Sequence, residues 1–400
     1  MKILHTCFTY WPLADGVSVV MQRLSEGLAA MGHEVTVATA FCQARQGVRE
    51  HNGVRIAEFD VRGNEAEGYR GDVAGFTEFV RSFDCDVMLN YAAQICTTDL
   101  VFPLLPNLSC GKVIVPCGYS RLRDPAYATY FRKMPERLRQ YDRAVYMSSN
   151  YQDNRFSDEH GLTNGVVIPN GASLVEFERP RSGFREAYGI YEASLILCVG
   201  NLMDIKGQRD VHAAFSRSGL KDAALVFIGS EINRYVTGAM RTRNGPAYDV
   251  RRKVNILRHE LFESAIHPDR RHRYELDSPA GTRSIVLAGV PRDMVLAAYF
   301  EADVFAFASK VECAPLVIYE SMAAGLPWIS FPAGNIPELE GGIVVDDVDA
   351  MAEEMSRLID RPNVRERLGA QGRAAWLERY TWESIVKQYE RLYREVSSLA

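Results

Sequence analysis

The sequence has no C-x-x-C pair and no Cys/His cluster: its eight cysteines stand singly at 7, 42, 85, 96, 110, 117, 198 and 313. Several lie in apolar, strand-like runs, the pattern of buried free thiols in a reducing compartment rather than of a disulfide framework or a zinc site. No apolar run approaches the roughly 18 residues that a membrane span requires. The opening Met-Lys-Ile-Leu-His-Thr leads straight into a strand, without the apolar stretch of a signal peptide. The expectation is a cytoplasmic protein whose contact with a membrane, if it makes one, is peripheral. Positive charge is not in excess, and a formal net charge of −5 argues against a general nucleic-acid binder. Also missing are a G-x-G-x-x-G after the first strand, tandem repeats, low-complexity tracts, and a D-x-D pair with supporting metal ligands. No metal and no cofactor are expected.

What is present is an ordinary globular composition, 47% hydrophobic and 24% charged over 400 residues, enough for two cores and two or three domains. Lys2 to Thr6 reads as a strand, Val17 to Met31 as an amphipathic helix ending at Gly32, and Glu34 to Thr39 as a second strand. A βαβ opening implies a parallel sheet, whose ligands bind at the carboxyl ends of the strands. Further strands are read at Asp86–Asn90, Lys112–Cys117, Arg143–Ser148 and Gly165–Pro169, completing a doubly wound domain. A segment without clean apolar period, about 172–192, reads as a linker. Strands at Ser194–Gly200, Ala224–Gly229, Ser284–Gly289 and Asp303–Ala308 build a second domain. From Asp346 onward the chain reads as helical, with helices at roughly Val348–Ile359, Val364–Tyr380 and Trp382–Ser397.

One stretch carries more chemistry than the rest. After the strand Asp303–Ala308 comes a loop with Glu312, then a helix over Pro315–Ala324 stopped by Gly325 and Pro327. Strand, short loop, helix is a phosphate-binding arrangement: Pro315 suits a first helical turn, and the N–H groups of Leu316, Val317 and Ile318 would point beyond the strand end. Glu312 and Glu320 can accept hydrogen bonds from vicinal hydroxyls, as a ribose or hexose presents them. On spacing alone, a surface glutamate and a helix-face glutamate are the alternative.

Glu312 and Glu320 form E-x7-E, followed by Ser-Met-Ala-Ala-Gly-Leu-Pro and Gly334-Asn335-Ile-Pro337-Glu338. This resembles the donor-site signature of the retaining GT-B glycosyltransferases of family four. The resemblance implies two Rossmann-like, doubly wound α/β domains facing across a cleft. The first, 1–175, is the acceptor domain, completed by a crossover helix at about 382–398; the second, 190–380, takes the nucleotide sugar. It also implies that Glu312 positions the donor sugar, Glu320 the ribose, and the helix start at Pro315, Leu316 and Val317 the phosphates. Asn201-Leu-Met-Asp-Ile-Lys206-Gly207 stands where the family has Gly-Arg-x5-Lys-Gly. Lys206 is thereby a pyrophosphate ligand, and Asn201 replaces the paired arginine. Arg292 is a candidate compensating cation, and with Val290 it is expected to line the base pocket. Gly16 matches the glycine of the family's Pro-x-x-Gly-Gly loop, with Asp15 in place of the other one. Transfer in the family proceeds at the front face, with the leaving phosphate helping to deprotonate the acceptor.

The family's amino-domain histidine is missing. Asn90-Tyr91 and Pro116-Cys117-Gly118-Tyr119 occupy the corresponding strand ends, which makes Asn90, Tyr91 and Tyr119 candidate acceptor contacts. Arg121 to Arg139 interleaves six cations with aromatics, suited to anionic lipid headgroups or an acidic acceptor, or to a solvated helix with snorkelling arginines. A charged excursion over 231–283, with a helix at Tyr248–Phe262, is a candidate interface, lid or membrane-facing arm. The implied activity is metal-independent transfer of a sugar from an NDP-sugar to a glycan, lipid-linked or small-molecule acceptor. The alternatives are another GT-B enzyme, such as an epimerase, or a catalytically silent nucleotide- or partner-binding paralogue.

Overall fold

The computed structural model describes residues 1–238, 240 and 272–398. The chain divides into two compact units, 1–171 with 380–400 and 172–379.

The first unit is built on ten strands: β1 (Lys2–Cys7), β2 (Glu34–Ala40), β3 (Glu50–His51), β4 (Val54–Phe59), β5 (Val61–Asn64), β6 (Gly68–Gly71), β7 (Val87–Tyr91), β8 (Gly111–Val115), β9 (Arg143–Tyr146) and β10 (Gly165–Val167). Eight of them form one sheet in the order β10-β9-β8-β7-β1-β2-β4-β3, and β5 and β6 pair separately. Five consecutive residues of β1, Ile3 to Cys7, are buried, because helices cover both faces of a central parallel strand. The helix Gly16–Ala30 is opened by Asp15, which accepts from Ser18 N–H at 3.1 Å, and it buries Met21, Leu24, Ser25 and Leu28. The last helix, Trp382–Ser397, repeats that stripe with Ile385, Val386, Tyr389, Leu392, Tyr393 and Val396. The two helices touch at Gly27, where a Cβ would lie 2.7 Å from Val386. The segment 49–71, which carried no strand in the sequence reading, supplies β3 to β6.

The second unit has β11 (Ser194–Val199), β12 (Ala223–Gly229), β13 (Arg273–Leu276), β14 (Thr282–Ala288), β15 (Val304–Phe307), β16 (Trp328–Ser330) and β17 (Gly342–Val344), in the order β13-β14-β12-β11-β15-β16-β17. All neighbours are parallel except the edge pair β13–β14. Strands β16 and β17 are three residues long, too short to show a period of two, and β16 is held by the wholly buried Trp328 ring over Gly342. Both units are α/β with doubly wound, largely parallel sheets. The expected helix at Tyr248–Phe262 and most of the charged excursion lie outside the described residues.

Candidate active site

In the second unit the chain moves from β11 outward to β12 and β14, then returns past β11 to β15. The winding reverses between β11 and β15, adjacent parallel strands with Ile196 opposite Val304 and Leu197 opposite Phe305. Loops leaving two such strands diverge, and α/β sheets take ligands in the crevice so formed. Lys206 comes from one loop and Glu312 from the other. Lys206 Nζ donates to Glu312 Oε1 at 2.6 Å, with the side chains 25% and 12% exposed.

Glycine lets these loops approach. The turn Asp204–Lys206 ends at Gly207, φ 69°, where a Cβ would fall 1.9 Å from the Ala308 carbonyl oxygen. Lys310 N–H donates to Ile205 O at 2.9 Å, joining the loops again on the other side of Lys206. Gly334, φ 58°, approaches Cys313 O so closely that a Cβ would lie 2.2 Å away, and Asn335 N–H donates to the same oxygen at 2.9 Å. Asn335 is buried and donates through Nδ2 to Tyr319 OH at 2.5 Å.

The helix that follows is Leu316–Ala324, and Pro315 is its cap rather than a first-turn residue. With ψ 119° Pro315 is extended, so the helix starts one residue later than the sequence reading placed it. Ile318 N–H donates to Pro315 O at 3.2 Å. Of the three N–H groups expected to face a ligand, those of Leu316 and Val317 keep no intrahelical acceptor. Gly325, φ 70°, ends the helix.

Glu320, one turn further on, meets a cation: Arg292 Nη2 lies 2.5 Å from Glu320 Oε1 and 2.9 Å from Glu176 Oε2. Arg292 opens the helix Arg292–Glu301 just beyond β14, with Val290 and Pro291 before it. Burial alone would lower the Arg292 pKa, but the two carboxylates outweigh it and the net shift is upward. Asn201 is exposed on the loop after β11, where its carbonyl accepts from Gln208 Nε2 at 2.8 Å. The second unit therefore brings Lys206 against Glu312 and Arg292 against Glu320. Glu176 carried no motif that would have singled it out.

Gly16, Asn90 and Tyr119 belong to the first unit. A Cβ on Gly16 would meet nothing within 4 Å, so local packing does not demand glycine there. Asn90 and Tyr119 are core residues rather than surface contacts, 0% and 1% exposed. The Asn90 amide donates to Thr6 Oγ1 at 2.7 Å and accepts from Tyr141 OH at 2.7 Å. Tyr119 ends three consecutive left-handed residues, Cys117 (φ 60°), Gly118 (φ 89°) and Tyr119 (φ 51°). That turn is fixed by Gly118 N–H donating to Asp153 Oδ2 at 2.8 Å and by Gln152 Nε2 donating to both Gly118 O and Tyr119 O. In the basic segment, Lys133 and Arg137 both pair with Glu65, Arg121 pairs with Asp124, and Arg139 donates to His160 O. Four of its six cations thus have intramolecular partners. Among the described residues, no three His, Cys, Asp or Glu side chains gather as a metal-ligand set, and no helix is long and apolar enough to cross a membrane.

Residues 236–361 match the family model for glycosyl transferases group 1. The chain is 26% identical over 230 residues to the N-acetyl-alpha-D-glucosaminyl L-malate synthase of Bacillus anthracis, covering 56% of this chain and 51% of that protein. It therefore spans about half the length of that relative. It is 25% identical over 418 aligned positions to the D-inositol 3-phosphate glycosyltransferase of Corynebacterium urealyticum, covering 96% and 92%. Sucrose-phosphate synthase from Thermosynechococcus elongatus superposes with a TM-score of 0.74 over all of both chains at 19% identity, a likeness of fold. Its sheets and this superposition give the chain the GT-B fold, and over residues 236–361 it is similar to the group 1 glycosyltransferases.

Proposed function

We propose that the protein is a retaining glycosyltransferase that moves a sugar from a nucleoside-diphosphate sugar to a hydroxyl-bearing acceptor without a metal. The reading rests on one observation above the others: the Lys206–Glu312 pair stands where the winding reverses, beside the amino end of the helix Leu316–Ala324. The diphosphate displaces Glu312 from Lys206 and takes its place, with the Leu316 and Val317 N–H groups as further donors. Glu312, released, accepts from donor-sugar hydroxyls, and Glu320 from the ribose. As the bond from the anomeric carbon to the phosphate oxygen breaks, negative charge grows on the diphosphate, and a fixed cation and oriented N–H groups stabilise that charge most where water is excluded. The acceptor oxygen bonds to the same face of the anomeric carbon, and its proton passes to the departing phosphate oxygen. Small polar metabolites as acceptors fit the printed names of the L-malate synthase and the D-inositol 3-phosphate glycosyltransferase, and glycans and lipid-linked glycans are the further candidates. Contact with a membrane surface, if the acceptor is lipid-linked, is peripheral in this proposal.

The test is thermal stabilisation by UDP, GDP, ADP and dTDP sugars of wild type and Glu320→Ala. A ligand at one hundred times its Kd stabilises by about 2.7 kcal/mol. Stabilisation by one nucleotide class, lost in Glu320→Ala, together with acceptor-dependent release of the nucleoside diphosphate, is the expected result. Nucleotide binding without sugar transfer would instead favour the silent-paralogue alternative, and sugar interconversion without an acceptor would favour an epimerase. No stabilisation at millimolar concentration would refute the donor site.

A further inference from the structure

Resting on the donor-site reading, a second feature concerns how the site's charge is held before a nucleotide arrives. Among the described residues, Lys206 pairs with Glu312, and Arg292 pairs with Glu320 and Glu176. A nucleoside-diphosphate sugar brings a dianionic diphosphate, which calls for a cation beside Lys206. Asn201 adds no cation. A single nitrogen of Arg292 serves two carboxylates, and the Arg292 side chain is 45% exposed against 21% for Glu176 and 14% for Glu320. Arg292 is therefore the most exposed side chain of the three. Glu176 comes from a different element, the short helix Leu174–Phe177, where Ser173 Oγ accepts from Glu176 N–H at 3.4 Å and fixes the turn. Glu320 has a further neighbour in the fully buried Tyr299, whose pKa is raised by burial first and then by the Glu320 charge.

We infer that Arg292 is the second cation of the diphosphate site, standing in for the arginine that Asn201 replaces, and that Glu176 is a positioning residue that competes with the diphosphate for it. On binding, Arg292 exchanges Glu176 for a phosphate oxygen. Glu176 in this way sets nucleotide affinity and speeds release of the nucleoside diphosphate product, without touching the sugar.

The experiment measures Kd for the nucleoside diphosphate that gives the largest thermal shift, and for the matching nucleoside by displacement, in wild type, Glu176→Gln, Arg292→Gln and the double variant. Glu176→Gln is expected to tighten the diphosphate about tenfold, equivalent to about 1.4 kcal/mol, with the nucleoside unchanged within twofold. The tightening disappears when Arg292 is also replaced. A purely structural Glu176 would weaken both ligands together, and that result overturns the inference. So does a tightening that survives without Arg292, or an unchanged diphosphate Kd. If wild type binds no nucleoside diphosphate, the donor-site reading fails and takes the inference with it; if wild type binds and Glu176→Gln does not differ, only the inference fails.

Discussion

Replacing Lys206 with methionine separates two roles that one ion pair combines. The Lys206–Glu312 contact is 2.6 Å long, and Glu312 is 12% exposed. Lys206→Met keeps the aliphatic stem and removes the charge, so it strands a nearly buried carboxylate at a cost of about 1–3 kcal/mol. For a unit of this size, a loss near 2 kcal/mol lowers the melting temperature by about 4–8 °C. The same change removes a charge-assisted contact to phosphate, expected to weaken nucleotide binding by about 1.5–3 kcal/mol, or roughly 10- to 150-fold. Changing Glu312 to Gln in that background neutralises the stranded charge without altering its shape. Lys206→Met/Glu312→Gln is therefore expected to regain most of the lost melting temperature and none of the nucleotide affinity. Thermal denaturation and calorimetric titration on the three proteins check this. Recovery of affinity together with stability would refute the reasoning, because it would reduce Lys206 to a support for the two loops.

Gly207→Ala places a Cβ 1.9 Å from Ala308 O at φ 69°, so the β11 and β15 loops must part; a loss of at least about 2 kcal/mol and a weaker nucleotide Kd are expected, and unchanged melting would show the loops to be pliable. His5, wholly buried with Nδ1 2.8 Å from Ser25 Oγ and Nε2 3.0 Å from Tyr393 OH, has its pKa pushed down to about 3 by burial. An unfolded imidazole takes its proton near 6.5, so this contribution to stability is intact above that pH and is lost as pH falls toward 3, by up to about 1.4 kcal/mol per pH unit. Asp99 is opposite in sign: burial, only partly offset by hydrogen bonds from Tyr130 OH and Glu65 N–H, raises its pKa to about 6, and its destabilising ionisation is relieved as pH drops from 6 to its unfolded value of 3.8. Asp99→Asn should therefore steepen the acid loss seen by denaturation at pH 7, 6 and 5, and His5→Gln should flatten it; equal slopes in all three proteins would contradict both assignments.

The sequence by itself determined the fold class, because alternating apolar strands and amphipathic helices are local patterns fixed by side-chain periodicity. Lys2–Thr6, Glu34–Thr39 and Ser194–Gly200 lie within a residue of the strands that form. The E-x7-E stretch was legible for the same reason: strand, loop and helix follow one another in the chain. Short or irregular elements were not. The hairpin β5–β6 and the three-residue β16 owe their existence to partners rather than to propensity. Only the tertiary structure decided which charges meet. Lys206 and Glu312 are 106 residues apart, and Glu176 and Arg292 are 116 apart. It also turned Asn90 and Tyr119 inward, Asn90 because its amide finds partners in Thr6 and Tyr141, and Tyr119 because its ring packs edge-on against Phe131 and Phe156. Periodicity reports which face of an element is apolar; which side chain answers a given charge depends on how loops distant in sequence are folded against one another.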